Sequence, residues 1–453
     1  MKRFVIIWAI VGTLTATAQD PGKETAAFSL QQAIDYAMQN QKDVKNAILE
    51  EQIAKQKIKE IRGSGFPQIN ASYDFKYWNE LPTQVIYGDP RNPFAPPSDT
   101  SIFAYIPLKF GTFFNSSAGI DASQLLFSGE YLVGLKASKV YAELSSRSTQ
   151  RTKIETVSTV TKAYYTALIN EERMNLLTAN ITRLKRILDE TKALYENGIA
   201  EKLDFDRLTV TYNNLVVEQE KIKRFVALSI NLLKFQIGLN AATTLTLTDK
   251  LADVKFDATQ PTAADKFDYE KRVEFSLFDA QFKLAKLDLK RNQASFLPTA
   301  VAYGALNYQR FRQNLDVPSS PWYSNSFIGA KVSLPIFTGF QRNSKVQQAK
   351  LKVIQAQNNI DFIKQTIDLE ISSSFINLQN ASSMIEVQKK NIAIAEDVAR
   401  VTKIKYEQGT GTNLEVITAE TALIEAQTNY YSALFDALVA KIDYEKANGN
   451  ITK

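Results

Sequence analysis

The sequence predicts a mainly α-helical protein with a smaller β part, built as a duplicated helix–strand–strand–long helix–helix unit. The tetrapeptide at 195–198 (Tyr-Glu-Asn-Gly) recurs at 406–409 (Tyr-Glu-Gln-Gly), an offset of 211 residues. The runs 135–197 and 340–408 contain neither Gly nor Pro, and their apolar residues recur three and four positions apart. That period is typical of long packed helices. Shorter segments beside them alternate apolar and polar residues one by one, as strands do.

Further landmarks recur in the same order in both halves of the chain. Phe127-Ser128-Gly129 is matched by Phe337-Thr338-Gly339 at an offset of 210, and Gly238 is matched by Gly449 at 211. Phe66-Pro67 corresponds to Phe296-Leu297-Pro298, each after a basic helical segment. Ordered landmarks at one spacing indicate an internal duplication rather than chance similarity.

The N-terminus has the three parts of a secretory signal peptide. A basic start at Lys2 and Arg3 precedes an apolar run over 4–14, and the small residues Ala16-Thr17-Ala18 follow. We expect cleavage after Ala18 and export of the mature chain. No later stretch of about 18 apolar residues predicts a transmembrane helix.

The composition excludes most catalytic chemistry. The 453 residues include no Cys and no His, and the formal net charge is +6. Disulfides, thiolate or imidazole metal sites, Ser-His-Asp triads and a lipidated N-terminal cysteine are therefore ruled out. We expect no enzyme, no cofactor, no metal and no nucleic-acid partner.

The repeat gives the predicted domain boundaries. They are a signal peptide at 1–18, a first structural repeat at 19–239 with strands at about 66–78 and 108–126, an equatorial linker region at 240–268, a second structural repeat at 269–449 with strands at about 298–310 and 323–335, and a tail at 450–453. The loop 79–107 is expected to be irregular, because it contains six prolines.

The predicted strands carry aromatic residues on one face, which is typical of lipid-spanning strands, although soluble hairpins use the same pattern. Tyr73, Phe75 and Tyr77 lie on the apolar face of the first strand. Only a closed barrel satisfies strand hydrogen bonds in lipid, and even eight strands leave room for side chains alone. Four strands therefore need strands from other chains, and three chains would supply twelve.

The ordered elements, the Phe-Ser/Thr-Gly motifs and the two Tyr-Glu-x-Gly turns resemble those of the TolC-type outer-membrane efflux proteins. The resemblance covers residues 28–449 and includes Leu30, Ala33, Ile34 and Ala37 at its start. It implies a homotrimer that shares a twelve-stranded barrel in outer-membrane lipid, continuous with an α-helical periplasmic tunnel. It also implies a passive exit duct that works with a periplasmic adaptor protein and an inner-membrane transporter.

The resemblance also implies roles at the periplasmic entrance. Tyr406 matches a tyrosine that holds the entrance shut, Asp204 matches its acidic partner, and Glu415 matches an inward-facing acidic ring. Gly198 and Gly409 are expected to form the entrance turns with a left-handed backbone. Each of these five residues also has an ordinary structural interpretation, as a turn, a helix-start carboxylate or a packing residue.

Two functions from different classes remain open on the sequence alone. The first is the outer-membrane exit duct. The alternative is a periplasmic coiled-coil scaffold without a pore, which would not need two hairpins at matching repeat positions.

Overall fold

The structure, a computed structural model, describes residues 25–94, 96, 102–251, 267–315 and 320–451. The predicted signal peptide, 1–18, and residues 252–266 of the predicted equatorial linker region lie outside the described residues. The chain divides into two compact units. The helical unit comprises Met1–Leu49, Arg147–Ser276 and Ile363–Lys453, and the strand unit comprises Glu50–Ser146 and Leu277–Phe362.

The prediction of a mainly helical chain with a smaller β part is confirmed. The order helix–strand–strand–long helix–helix occurs twice. In the first half it runs through Lys42–Gly63, Gln68–Tyr77, Phe114–Ser128, Gly129–Glu196 and Lys202–Ile237, and in the second half through Val273–Ala294, Thr299–Arg312, Tyr323–Ser333, Gln341–Glu407 and Asn413–Ala447. Among the described residues, no helix has both the length and the apolar composition needed to cross a bilayer. The elements are β1 Thr25–Phe28, α1 Leu30–Asn40, α2 Lys42–Gly63, β2 Gln68–Tyr77, β3 Thr83–Gly88, β4 Ala104–Lys109, β5 Phe114–Ser128, α3 Gly129–Glu196, α4 Lys202–Ile237, β6 Thr244–Leu247, a 3-10 turn Tyr269–Lys271, α5 Val273–Ala294, β7 Thr299–Arg312, β8 Tyr323–Ser333, α6 Gln341–Glu407 and α7 Asn413–Ala447.

The two longest helices, α3 and α6, run for 68 and 67 residues. Pro is absent from both, so no missing backbone donor interrupts either hydrogen-bond ladder. Both helices begin in the strand unit and end in the helical unit. Each compact unit therefore contains parts of both repeats, and the boundaries drawn from the repeat stay a prediction.

The main sheet of the strand unit is antiparallel and has the order β2-β5-β7-β8. The central pair β5–β7 joins the two repeats, with Ile120 opposite Leu306. On the polar face, the Asn70 amide donates to Asp121 Oδ2 at 3.0 Å across β2 and β5. On the other face, Ile328 of β8 is 95% exposed. The outer strands β2 and β8 each have one neighbour, so each leaves a row of backbone groups unpaired.

The loop expected to be irregular contains a hairpin, and this prediction was wrong. β3 pairs with β4, placing Val85 opposite Pro107 and Tyr87 opposite Tyr105. Proline lacks a backbone N–H but keeps its carbonyl, so an edge strand tolerates it. The alternating apolar residues of this segment therefore form the hairpin despite its prolines. The strand predicted at 108–126 is also divided, since the chain turns at Gly111, where φ is +117°. Residues before this glycine pair with β3, and β5 starts at Phe114.

The core of the helical unit forms where α1 begins. β1 pairs in parallel with β6, Phe28 opposite Leu247, and Tyr164 of α3 is fully buried beneath them. The Tyr164 hydroxyl lies 2.9 Å from Asp249 Oδ2 and 3.1 Å from the Phe28 carbonyl oxygen. The same carboxylate accepts a 2.8 Å hydrogen bond from the Leu30 backbone N–H, at the start of α1. Asp249 thus joins three elements and satisfies a helix N-terminus.

A second buried contact ties the end of α7 to its neighbours. The Arg272 side chain is almost fully buried. Its guanidinium donates to the Ala447 carbonyl at 2.8 Å, to Glu370 at 2.6 Å and to Glu274 at 3.0 Å. Three charge-assisted bonds compensate for burying this cation.

We expect Tyr164→Phe to lower the free energy of unfolding by about 1–3 kcal/mol near neutral pH, because it leaves the Asp249 carboxylate with one donor fewer. Burial, and then the bond to Asp249, raise the pKa of Tyr164. The Tyr164 hydroxyl therefore contributes fully to the free energy of unfolding below the unfolded tyrosine pKa of about 10. Its contribution is lost as pH rises towards the higher pKa of the folded state. The difference between wild type and variant, measured by chemical denaturation, should therefore shrink above pH of about 10.

Tyr165→Phe is the matched control, because the Tyr165 hydroxyl makes no hydrogen bond with the described residues. Its effect at neutral pH should stay within about 0.5 kcal/mol. Equal losses in both variants would contradict the role given to the Tyr164–Asp249 contact.

Candidate functional site

The two tight turns that follow the long helices have the same backbone structure. Gly198 and Gly409 both have φ of +71°, so the predicted left-handed glycines are confirmed. In the first turn the Ile199 N–H donates to the Leu194 carbonyl at 2.8 Å, and in the second the Thr410 N–H donates to the Lys405 carbonyl at 2.9 Å. These equivalent bonds, 211 residues apart, close the ends of α3 and α6 and return the chain into α4 and α7.

An apolar cluster, here called the tip cluster, packs beside these turns. It consists of Leu184 and Ile187 of α3, Leu208 of α4 and Val416 of α7, all nearly inaccessible to solvent. Tyr406 of α6 is partly buried against it. All four helices therefore meet in one small core near the turns.

The structure does not join Tyr406 to Asp204 in the way the resemblance implied. Within the described part of the chain, no hydrogen bond connects the Tyr406 hydroxyl with the Asp204 carboxylate. Asp204 Oδ1 lies 4.0 Å from Arg207 of the same helix, and the Asp204 carbonyl accepts a 3.4 Å bond from the Asn413 amide. The two turns are thus connected through Asn413. The gating roles of Tyr406 and Asp204 stay predictions.

Glu415 lies in the first turn of α7, and its side chain is exposed. Its backbone N–H donates to Thr412 Oγ1 at 3.3 Å, so Thr412 caps the helix. The carboxylate forms no ion pair with any described residue. A free negative charge at this position is favoured by the helix dipole and faces the solvent around the isolated chain.

A set of buried polar residues on α7, here called the polar ladder, was not predicted from the sequence. Asn413, Glu420 and Gln427 are spaced seven residues apart and are each more than nine-tenths buried. The Gln427 side chain accepts a 3.0 Å bond from the Asn180 amide, and Glu420 Oε2 lies 2.8 Å from Arg183 Nη2. The signal for the polar ladder that was available in the sequence is the recurrence of polar residues every seven positions along one helix.

The polar ladder is only partly satisfied. Arg183 also donates to Asn180 Oδ1 at 2.9 Å, which links two of its levels. Arg183 Nε and Asn413 Oδ1 are buried without a hydrogen-bond partner among the described residues. Since unpaired buried polar atoms cost free energy, these two atoms make the contacts of α7 with α3 and α4 less stable than fully paired contacts would be.

Over the described ranges, His, Cys, Asp and Glu form no group of three that could hold a metal ion. The tip cluster and the polar ladder join α7 to α3 and α4.

The comparison with known proteins identifies the family. The model of the family described as "Outer membrane efflux protein" matches residues 33–215 and 278–450. The chain belongs to this family. The match spans both repeats and confirms the resemblance drawn from the sequence, and it makes the chain an outer-membrane exit duct for efflux or secretion in a Gram-negative bacterium.

Individual relatives are distant in sequence but similar along most of their length. Outer membrane protein TolC of Escherichia coli (strain K12) is 22% identical over 437 residues, covering 94% of this chain and 83% of TolC. The CmeC outer membrane channel of Campylobacter jejuni has a TM-score of 0.71 at 17% identity, covering 100% of this chain and 94% of CmeC. The MtrE outer membrane channel of Neisseria gonorrhoeae, solved in an open state, gives 0.72 at 17% identity, covering 93% of this chain and 88% of MtrE.

We expect Glu420→Gln to weaken the packing of α7 on α3, because Arg183 is left without its anionic partner. The loss in the free energy of unfolding should be about 1–3 kcal/mol, below the value for a fully buried pair because Arg183 is one-third exposed. Hydrogen exchange of the first turns of α7 should accelerate.

A double-mutant cycle with Arg183→Met isolates the ion pair. Glu425→Gln removes an exposed α7 carboxylate that has no described partner, and it should leave exchange unchanged. A coupling energy below about 0.3 kcal/mol between positions 183 and 420 would contradict the ion pair's role.

Proposed function

We propose that three copies of this chain form one exit duct, with a shared twelve-stranded barrel in the outer membrane that continues into an α-helical periplasmic tunnel. The observation that carries the proposal is the pair of free edges, β2 and β8, on a sheet of four strands. Unpaired backbone groups cannot face lipid, and four strands cannot close on themselves. Pairing of β2 with β8 of the next copy satisfies both edges by one repeated contact.

Exposed apolar stripes on two helices support the same assembly. On α4 the stripe is Leu203, Val210 and Val217, and on α6 it includes Ile394 and Val401, each member lying seven positions after the previous one. Contiguous apolar residues at heptad spacing are typical of a helix that packs against another helix. A second copy of the chain is the partner that supplies a complementary stripe.

The exposed face of α7 has a different composition. Thr421 and Thr428 of α7 are exposed at the positions equivalent to Val210 and Val217 of α4, 211 residues earlier. Together with Glu415, these hydroxyl side chains make most of this surface hydrophilic, although Leu414, equivalent to Leu203 of α4, is exposed as well. We assign this surface to the aqueous route, and the apolar face of α4 to contact between copies.

The duct is passive in this proposal. An inner-membrane transporter supplies the energy, and a periplasmic adaptor protein connects it to the entrance formed by the helical hairpins. A scaffold without a pore would need neither the exposed apolar face of the sheet nor two strand edges left for pairing.

At the entrance, the turns at Gly198 and Gly409 carry the gating residues Asp204, Tyr406 and Glu415. The polar ladder holds α7 against α3 while the entrance is closed. Three copies of Glu415 around one axis would concentrate negative potential and favour cations. One acid per chain, with Thr418 one turn further on, gives a weakly selective ring.

The shared barrel can be tested by cross-linking, because the chain has no cysteine of its own. We expect Ser72→Cys on β2, combined with one of Tyr323→Cys, Asn325→Cys or Phe327→Cys on β8, to give covalent trimers after oxidation in membranes. Ser117→Cys with Gln309→Cys, opposed on β5 and β7 of the same sheet, should link only within one chain. Monomers and dimers alone in every edge combination would contradict the shared barrel.

The entrance roles can be tested by conductance in planar bilayers. Glu415→Gln keeps the side-chain shape and removes three charges per trimer, so the preference for cations should fall. Tyr406→Phe should raise resting conductance if its hydroxyl makes a bond in the assembled duct that the single chain lacks.

Glu386→Gln, an exposed α6 carboxylate paired with Lys390, is the charge-matched control and should leave the preference for cations unchanged. Unchanged selectivity in Glu415→Gln would place this carboxylate away from the conducting path. Unchanged conductance in Tyr406→Phe would leave the tyrosine as a packing residue of the tip cluster.

A further inference from the structure

Positive charge is concentrated where the long helices adjoin the strands. The three helical turns next to the sheet, 53–63 of α2, 129–139 of α3, 284–294 of α5 and 341–351 of α6, contain twelve Lys or Arg and only three Asp or Glu. The opposite ends of α3 and α6, together with the starts of α4 and α7, contain seven cations and nine acids over windows of the same length. The excess is therefore local to the strand unit.

Helix dipoles explain only part of this charge. Cations are favourable at the ends of α2 and α5, which meet the strands with their C-termini. They are unfavourable at the start of α6, yet residues 339–360 contain four cations and no Asp or Glu. The helix dipole therefore does not account for the basic start of α6.

Most of these cations have no acidic partner. Lys57 is paired with Glu60 at 2.6 Å, Arg291 with Asp288 at 2.7 Å, and Arg342 donates to the Ser295 carbonyl. Eight lysines at these helix ends, counting Lys352 just beyond the last window, form no ion pair with any described residue. Lys286 lies over the Phe282 ring at 4.0 Å. We call the other seven the basic collar: Lys59 on α2, Lys136 and Lys139 on α3, Lys290 on α5, and Lys345, Lys350 and Lys352 on α6.

An independent observation places the collar at a membrane interface. Each of the four junctions between strand and helix has an exposed phenylalanine, Phe66, Phe127, Phe296 and Phe337. Aromatic side chains are enriched at the level of the lipid headgroups. Lys59 and Lys290 lie four residues before the ends of their helices, about 6 Å along the axis, which is within the headgroup region or just beyond it.

We propose that the basic collar binds the phosphate groups of anionic phospholipids in the periplasmic leaflet of the outer membrane. The inference rests on the proposed barrel, because the barrel determines which helix ends reach the headgroups. Lysine suits this role, since its long apolar stem lies along the protein while the ammonium reaches a phosphate. Bound lipid would neutralise charge that would otherwise destabilise the start of α6.

The test measures lipid binding to the delipidated, detergent-solubilised trimer by native mass spectrometry. Phosphatidylglycerol and phosphatidylcholine with the same acyl chains are titrated separately. We expect wild type to bind phosphatidylglycerol about fivefold more tightly at low salt, and K345Q/K350Q/K352Q to lose most of that preference. Salt at 0.5 M should have the same effect as the triple variant, because the contacts are exposed.

K221Q/K223Q/K389Q removes the same number of charges from α4 and α6 outside the strand unit, and it should bind like wild type. K59Q/K290Q, at equivalent positions of the two repeats, serves as a second variant if the α6 variant does not assemble. Equal binding of both lipids by wild type, or equal loss in the control variant, would overturn the inference.

Two other outcomes identify what has failed. Saturable binding of purified peptidoglycan without a preference for phosphatidylglycerol would assign the collar to a different anionic partner and reject the lipid. Conductance of the same preparation in planar bilayers separates this inference from the proposed function. A conducting trimer without lipid preference rejects only the collar, whereas a non-conducting preparation rejects the duct.

Discussion

The unpaired backbone of β2 and β8 is the constraint on which the rest of the structure depends. In water, a sheet with two open edges is tolerated, but in lipid each unpaired N–H or carbonyl costs several kcal/mol. The family places this chain in the outer membrane. In the proposed barrel, pairing of these edges with other copies places the exposed apolar face that includes Ile69 and Ile328 against lipid. On this proposal, assembly is a condition of membrane insertion.

The helical hairpins combine two kinds of contact that act differently. The tip cluster brings apolar side chains from all four helices together. Their burial favours close packing of the helices but does not fix one register. The polar ladder adds Asn413, Glu420 and Gln427 at one heptad position of α7, and buried polar residues fix register at a cost in stability. The incomplete hydrogen bonding of the polar ladder limits the stability of this contact, which is the property that the proposed gating role needs.

Sequence patterns predicted what depends on neighbouring residues and missed what depends on distant ones. The repeat at 211 residues predicted both turns, because Gly198 and Gly409 determine the local backbone. The alternation of apolar and polar residues predicted the main strands. The β3–β4 hairpin was missed because the prolines of this segment favoured an irregular loop. Asp249 and Arg183 could not be found in this way, since their partners Tyr164 and Glu420 lie 85 and 237 residues away and on other elements. Resemblance alone paired Tyr406 with Asp204, which the fold of the single chain does not join.

The two repeats have diverged at equivalent positions, and the differences separate their roles. The ladder residues Asn413, Glu420 and Gln427 of α7 correspond to Lys202, Thr209 and Val216 of α4, which are not buried. Conversely, the exposed Val210 and Val217 of α4 correspond to Thr421 and Thr428 of α7. At these positions α7 thus buries three polar residues and exposes two threonines, whereas α4 exposes two valines. Since the backbone turns are the same, side chains alone distinguish the two helices, and in the proposed duct α7 lies beside the aqueous route while α4 contacts another copy.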